Sequence, residues 1–143
     1  MHAILRKPRF TVAVLVAGVL AAGVGMAIAA GVKVTLSGDQ EVPPVKTSAS
    51  GSGTITVGDD KSVSGSVKTS DVMGNAAHIH EAPPGKAGPV VIPLAKSSDN
   101  EWSVPAGAKL TDEQYQSYKA GNLYVNVHSA ANKDGEIRGQ LKP

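Results

Sequence analysis

The chain has 143 residues, enough for one domain, with no cysteine and with 14 Lys and Arg against 12 Asp and Glu. Without cysteine it forms neither disulfides nor thiolate metal sites, so its stability has to come from the packing of apolar side chains. No block of Lys and Arg follows the N-terminal segment, so the composition offers no electrostatic basis for binding nucleic acid or an anionic membrane surface.

Residues 1–29 predict a secretory signal peptide. A basic stretch without acids, residues 1–9, precedes an uncharged and mostly apolar segment at 10–26, and the AIA sequence at 27–29 suits signal peptidase. An uncleaved anchor is the alternative, because the apolar segment is almost long enough to span a bilayer. Cleavage leaves a domain of residues 30–143 with a net charge of −1, which we expect to be periplasmic or secreted and free of the membrane.

The rest of the chain predicts short strands separated by Gly, Ser, Pro and Asp. The predicted strands are 32–36, 53–57, 62–69, 76–80, 90–94, 123–128 and 136–141. Strands at this spacing favour an all-β fold, either an antiparallel β-sandwich or a Greek-key barrel.

One short helix is predicted, from about residue 112 to residue 120. Thr111 and Gln114 have the spacing of a capping box, and Leu110 and Tyr115 can form a hydrophobic staple. Gly121 supplies the C-terminal stop. This helix leads into the strand at 123–128, and we expect its role to be architectural.

Three histidines are predicted to lie on the polar faces of two strands. Because side chains alternate along a strand, His78 and His80 point the same way and Ile79 points to the other side. On the strand at 123–128, His128 shares its face with polar residues and lies opposite the valines. If the two strands are neighbours, the three imidazoles converge on the outward face of the sheet, within reach of one cation.

Three imidazoles without a thiolate suit copper or zinc, and the affinity order of divalent metals favours copper, with zinc as the alternative. Three protein ligands also leave one coordination position open, as in catalytic zinc sites. The other interpretation is that His78 and His80 face water and that His128 is unrelated to them. Spacing alone leaves both interpretations open.

Other polar and soft side chains near these positions have two interpretations each. Glu81 and Asn126 flank the histidines and either orient an imidazole by hydrogen bonding or are solvated polar residues. Glu41 either buttresses the fold or approaches the site. Met73 is expected to fill a gap in the core rather than to offer a thioether, and Trp102 is expected to be a core or edge aromatic.

Three segments of the chain resemble one known family. The sequences LSGDQEVPPVKTSASGSG at 36–53, AAHIHEAPPGKAGPVVIPL at 76–94 and GNLYVNVHSAANKDGEIRGQL at 121–141 resemble the chordin-type (CHRD) domain. This domain occurs in animal chordins and in many exported bacterial proteins. The resemblance implies a β-sandwich of immunoglobulin-like or Greek-key type, and it implies no particular activity.

A more distant resemblance concerns the histidines. AHIHE and NVHSA are similar to two elements of the copper site of copper-zinc superoxide dismutases, Greek-key barrels that hold copper outside the barrel wall. This resemblance implies that His78, His80 and His128 are three of four copper ligands. No further histidine follows in the loop after His80, so the bridging ligand and the zinc-site histidines are missing. Arg138 lies roughly where the dismutases keep an arginine beside the copper channel.

The sequence therefore supports three hypotheses. The first is an exported metal-binding protein, with copper as the preferred ion, whose open surface site serves copper handling or limited redox chemistry. The second is an extracellular interaction or matrix module without a metal, acting on a periplasmic or extracellular protein partner. The third is a degenerate enzyme of the superoxide dismutase type. The oligomeric state is left open.

Overall fold

The computed structural model describes Gly23 and residues 29–143. The predicted signal peptide lies outside the described residues apart from Gly23 and Ala29, so it stays a prediction. Within the described part of the chain, no helix is both long enough and apolar enough to cross a membrane.

The described residues form nine antiparallel β-strands and one α-helix, which confirms the all-β class with one short helix. The strands are β1 (Val32–Ser37), β2 (Ser50–Val57), β3 (Val63–Ser70), β4 (Gly74–Glu81), β5 (Val90–Pro93), β6 (Ala95–Ser98), β7 (Glu101–Ser103), β8 (Leu123–Ser129) and β9 (Ile137–Leu141). Helix α1 (Asp112–Lys119) lies between β7 and β8.

All nine strands belong to one sheet, in the order β5-β4-β8-β9-β1-β2-β3-β7-β6. Its two edge strands, β5 and β6, follow each other in the chain and are separated only by Leu94. The Leu94 N–H donates to the carbonyl of Ala77 in β4 at 2.9 Å. The sheet therefore curves until its edges nearly meet, and the result is a nearly closed barrel.

The alternation of side chains fills the interior of this barrel. The apolar residues of the central strands are 0–1 % exposed, and they include Leu36, Ile55, Val67, Ile79, Val125, Val127 and Ile137. The polar residues between them point to the other side of the sheet. On β4 and β8, that other side carries the three histidines.

The predicted helix is confirmed, and it begins and ends close to where the sequence placed it. The Gln114 backbone N–H donates to Thr111 Oγ1 at 3.2 Å, and the Thr111 N–H donates to Gln114 Oε1 at 2.9 Å, which completes the capping box. Gly121 follows the last turn with a φ of +79°. Its left-handed conformation ends the helix and directs the chain into β8.

The chain between β3 and α1 differs from the prediction in two respects. Strands β6 and β7 were not predicted, because β6 is exposed along its whole length and β7 has three residues. Strand β6 lacks the alternation on which strand prediction depends, and β7 is too short to reveal it. Met73 is 93 % exposed, so its prediction as a core residue is wrong. It lies in the turn before β4, after Asp71, whose φ of +58° redirects the chain. Trp102 is buried in the core on β7, as one of its two interpretations had it.

Candidate metal centre

Strands β4 and β8 are neighbours, which is the condition that the histidines needed in order to converge. In the antiparallel register His78 lies opposite Asn126 and His80 lies opposite Tyr124, while His128 lies two residues further along β8. All three imidazoles therefore project from the same side of the sheet.

The three imidazole rings meet at one point. One ring nitrogen from each of His78, His80 and His128 lies within 4.8 Å of the others. His78 Nδ1 and His128 Nε2 are 3.0 Å apart, in a hydrogen bond that the His78 Nδ1–H donates because the His128 proton is on Nδ1. Two nitrogens bound to one cation at about 2.0–2.1 Å are separated by about 2.8–3.4 Å at bond angles between a right angle and the tetrahedral value. The first pair already has this spacing, and a nitrogen of His80 lies within 4.8 Å of both.

The tautomers of two of these rings are set by backbone carbonyls. His80 Nδ1 lies 3.0 Å from the carbonyl oxygen of Gly88, and His128 Nδ1 lies 2.8 Å from that of Lys133. A carbonyl only accepts, so each Nδ1 carries the proton and each Nε2 presents its lone pair. Metal-bound histidines typically have their second nitrogen held in this way. The two Nε2 atoms are therefore prepared to act as ligands.

The environment also favours the neutral form of His78 and His80. Burial lowers the pKa of His78, and the charges that His128 and His80 would carry lower it further. Burial likewise lowers the pKa of His80, against the hydrogen bond to Gly88, which raises it. Only neutral imidazole binds a metal, so these shifts favour the ligand form at neutral pH.

A stack of three side chains holds His80 in place. The His80 ring lies parallel to the Tyr124 ring, with 4.9 Å between centroids and 4° between planes. The Arg138 guanidinium lies 3.4 Å from the Tyr124 ring centroid. The Gly88 N–H donates to Tyr124 Oη at 3.2 Å. One residue of the β4–β5 loop, Gly88, is thus bound by both His80 and Tyr124. A Cβ at Gly88 would collide with the carbonyl of Glu81.

Arg138 is buried and 2 % exposed, and its guanidinium is bound to this same loop. It donates to the carbonyl oxygens of Lys86 at 2.6 Å and Pro83 at 3.1 Å, and to Gln140 Oε1 at 3.0 Å. Arg138 therefore holds the loop whose Gly88 carbonyl orients His80. These bonds direct its terminal nitrogens toward two backbone carbonyls and one side-chain amide, while the residue also lines the cavity beside the histidines.

The turn on the other side of the site depends on Glu136, which the sequence did not single out. Its carboxylate accepts hydrogen bonds from Thr47, Ser129 and Asn132 at 2.8–3.0 Å. Burial alone would raise the pKa of Glu136, but these bonds hold it below its ordinary value. The network fixes the β8–β9 turn, and with it the Lys133 carbonyl that orients His128.

The other two residues expected beside the histidines differ in position. Glu81 lies on the opposite face of β4 from His80, and its carboxylate accepts from Ser117 Oγ of α1 at 2.6 Å. Among the described residues it makes no hydrogen bond to an imidazole. Asn126 does lie on the histidine face, where it is 2 % exposed. Its Nδ2 makes a long hydrogen bond, 3.4 Å, to the carbonyl of Asp134.

The polar face of the sheet is covered rather than open to water, which the alternation alone did not predict. His80 is 8 % exposed and Tyr124 is 3 % exposed. A cavity of about 320 Å³ remains between the covering loops. Its lining includes His80, His128, Asn126 and Glu41, so Glu41 does approach the site.

Replacing Arg138 tests its proposed role as a positioning residue. In Arg138→Lys the loop keeps a positive charge but loses the fork of donors, so the Gly88 carbonyl no longer fixes His80. We expect the affinity for Cu(II) to fall by about 10- to 100-fold, as is typical when the outer partner of a ligand is lost. Isothermal titration with a competing chelator measures this. An unchanged affinity in a folded variant would contradict the role.

The comparisons with known proteins agree with this architecture. The model of the CHRD domain matches residues 32–141. Searches of the curated proteins and of the solved structures found no match. The matched segment begins at the first residue of β1 and ends at the last residue of β9, so it contains every described strand and all three histidines. The chain therefore belongs to the CHRD domain family.

Proposed function

We propose that the protein is an exported copper-binding protein in which His78, His80 and His128 hold the ion for copper handling or limited redox chemistry. The observation that supports this most is the convergence of three ring nitrogens within 4.8 Å of one another. Two of the rings are already locked in the tautomer that a metal requires. A solvent-facing pair of histidines has no need of either feature.

The preference for copper rests on the donor set. Three imidazole nitrogens, with no thiolate in the chain, suit Cu(II) and Zn(II), and the order of divalent affinities favours Cu(II). Zinc is the alternative ion. The cavity beside His80 and His128 gives a small ligand or a partner's side chain room to reach the ion. That room suits transfer of copper or one-electron chemistry.

A dismutase-like enzyme is the proposal that the contacts of Arg138 favour less. Attraction of an anion to the ion needs a cationic group whose donors face the channel. The guanidinium of Arg138 instead donates to two loop carbonyls and to Gln140. Measurement of superoxide turnover by the copper-loaded protein separates the two proposals. We expect no turnover above that of copper bound to an unrelated control protein.

The proposed export is tested by expression of the full chain in a bacterium with a periplasm. We expect the protein in the periplasmic or extracellular fraction, with an intact mass that lacks the first 29 residues, because of the AIA sequence at 27–29. A full-length mass in the membrane fraction would show that the segment is kept as an anchor. A full-length mass in the cytoplasm would overturn export.

The metal site is tested by titration of the purified protein with Cu(II) under a competing chelator. We expect one tight site in the wild type. In His78→Ala, His80→Ala and His128→Ala the affinity should fall by more than about 100-fold, beyond the effect of losing an outer hydrogen-bond partner. Titration with Zn(II) under the same conditions should give weaker binding.

Met73→Ala is the control for this titration, because Met73 is an exposed thioether that does not line the cavity of His80 and His128. We expect it to bind Cu(II) as the wild type does. Weak binding that survives all three histidine substitutions would overturn the metal site. It would favour an extracellular interaction module, with partners that are proteins or polysaccharides.

The pH dependence of binding follows from the lowered pKa values of His78 and His80. Protons compete with the metal only at a pH below these values, which lie below the ordinary 6.5. We therefore expect the affinity to change little between about pH 8 and 6.5 and to fall at lower pH, by about tenfold per pH unit for each histidine that takes up a proton. Copper titrations at several pH values measure this, and an affinity that is constant down to about pH 5 would contradict histidine ligation.

A further inference from the structure

Three buried acceptor atoms beside the histidines have no hydrogen-bond partner among the described residues. They are His80 Nε2, Asn126 Oδ1 and Glu41 Oε1. Their residues are 8 %, 2 % and 6 % exposed, and all three line the cavity of about 320 Å³. Buried acceptors without a donor are destabilising and uncommon, so three in one cavity require an explanation.

Neighbouring groups complete no well-aligned hydrogen bond to these three atoms, although the Asn126 side chain lies near enough to lower the pKa of Glu41 and to raise that of His80. The proton of His80 is on Nδ1, held by the Gly88 carbonyl, so Nε2 can only accept. The amide nitrogen of Asn126 is directed at the carbonyl of Asp134, which leaves Oδ1 as the end that faces the cavity. That nitrogen also lies against Glu41 Oε1, although the pair is not aligned as a hydrogen bond.

Glu41 and Asn126 are held next to each other by the backbone of the β8–β9 turn. Gly135 has a φ of +125°, and a Cβ at this position would collide with both Glu41 Oε1 and Asn126 Nδ2. The two side chains therefore pack over a backbone position that only glycine can occupy. Glu41 reaches this point from the segment after β1, and Asn126 reaches it from β8, two residues before His128.

We propose that Glu41 and Asn126 hold the exchangeable ligand of the metal, a water molecule that donates one hydrogen bond to Glu41 Oε1 and one to Asn126 Oδ1. This rests on the proposed metal site. A water on the cation has two O–H donors, and the cation itself occupies the lone pair of His80 Nε2. One hydrated ion thus satisfies all three acceptors.

The charge balance around Glu41 agrees with this role. Burial raises the pKa of Glu41 to about 7, while the charge of Arg138, the Asn126 side chain and the Val42 backbone N–H lower it and Asp134 raises it. The carboxyl group is therefore poised near neutral pH. A cation in the cavity favours its ionised form, which is the stronger acceptor.

The first experiment needs no variant. The wild-type protein is loaded with Cu(II) in water enriched in ¹⁷O, and its electron paramagnetic resonance spectrum is compared with that in ordinary water. We expect line broadening from one coordinated water. No Cu(II) binding at all would overturn the proposed function. Cu(II) bound by the histidines without ¹⁷O broadening would overturn the inference and leave the histidine site standing.

The second experiment assigns the role to Glu41. Azide is titrated into the copper-loaded protein, and its charge-transfer absorption reports displacement of the water. In Glu41→Gln the water loses its charged acceptor, so we expect azide to bind about tenfold more tightly or better, the change that corresponds to one hydrogen bond to a charged group. Asn126→Ser shortens the side chain and so withdraws the other acceptor from the water without a change of charge, and we expect a smaller increase in the same direction.

Glu81→Gln is the matched control, because it makes the same chemical change one residue from His80 but on the opposite face of β4. We expect its azide affinity to equal that of the wild type. Equal azide affinities in Glu41→Gln, Asn126→Ser and Glu81→Gln would overturn the proposed role. Circular dichroism and the chelator titration establish that each variant is folded and holds Cu(II).

Discussion

The antiparallel pairing of β4 with β8 is the constraint on which the site depends. Ile79, Val125 and Val127 are 0–1 % exposed on the core side of these strands. A slip of one residue would carry the apolar side chains to the polar face and the histidines into the core. Burial of a side chain of this size stabilises the fold by about 1.5–3 kcal/mol, so the core enforces the register. The convergence of the histidines is a consequence of how the barrel packs its interior.

A second level of organisation comes from β9, which contributes none of the three histidines. Arg138 and Gln140 lie on the polar side of β9 and donate to the carbonyls of the loop that begins after β4. Glu136, just before β9, accepts one hydrogen bond each from Ser129, from Asn132 in its own β8–β9 turn and from Thr47. Through these contacts β9 places the two carbonyls that orient His80 and His128. The orientation of the histidines thus depends on contacts such as Arg138 to Pro83, 55 residues apart.

The sequence allowed prediction of the features that depend on short-range patterns. Alternation assigned His78, His80 and His128 to a face, and the capping box of Thr111 and Gln114 located the helix. Adjacency of β4 and β8 brings together histidines 50 residues apart, and alternation along a single strand carries no information about it. The cover over the polar face depends on contacts such as Arg138 to Lys86, 52 residues apart. For that reason Tyr124 and Asn126, expected on an outward face, are buried. The prediction that Met73 is a core residue was wrong for the opposite reason, since its apolar side chain lies in an exposed turn.

The unpaired acceptors connect the stability of the fold to its ligand. Each buried acceptor without a donor costs about 1–3 kcal/mol, and a domain of this size is stable by about 5–15 kcal/mol in total. A barrel without disulfides that served only as a scaffold would gain by placing a donor or an apolar group in this cavity. Instead, two carbonyls hold His80 and His128 with their lone pairs inward. A cation that binds there removes the cost and binds the folded state alone, so metal affinity and folding stability are one linked quantity.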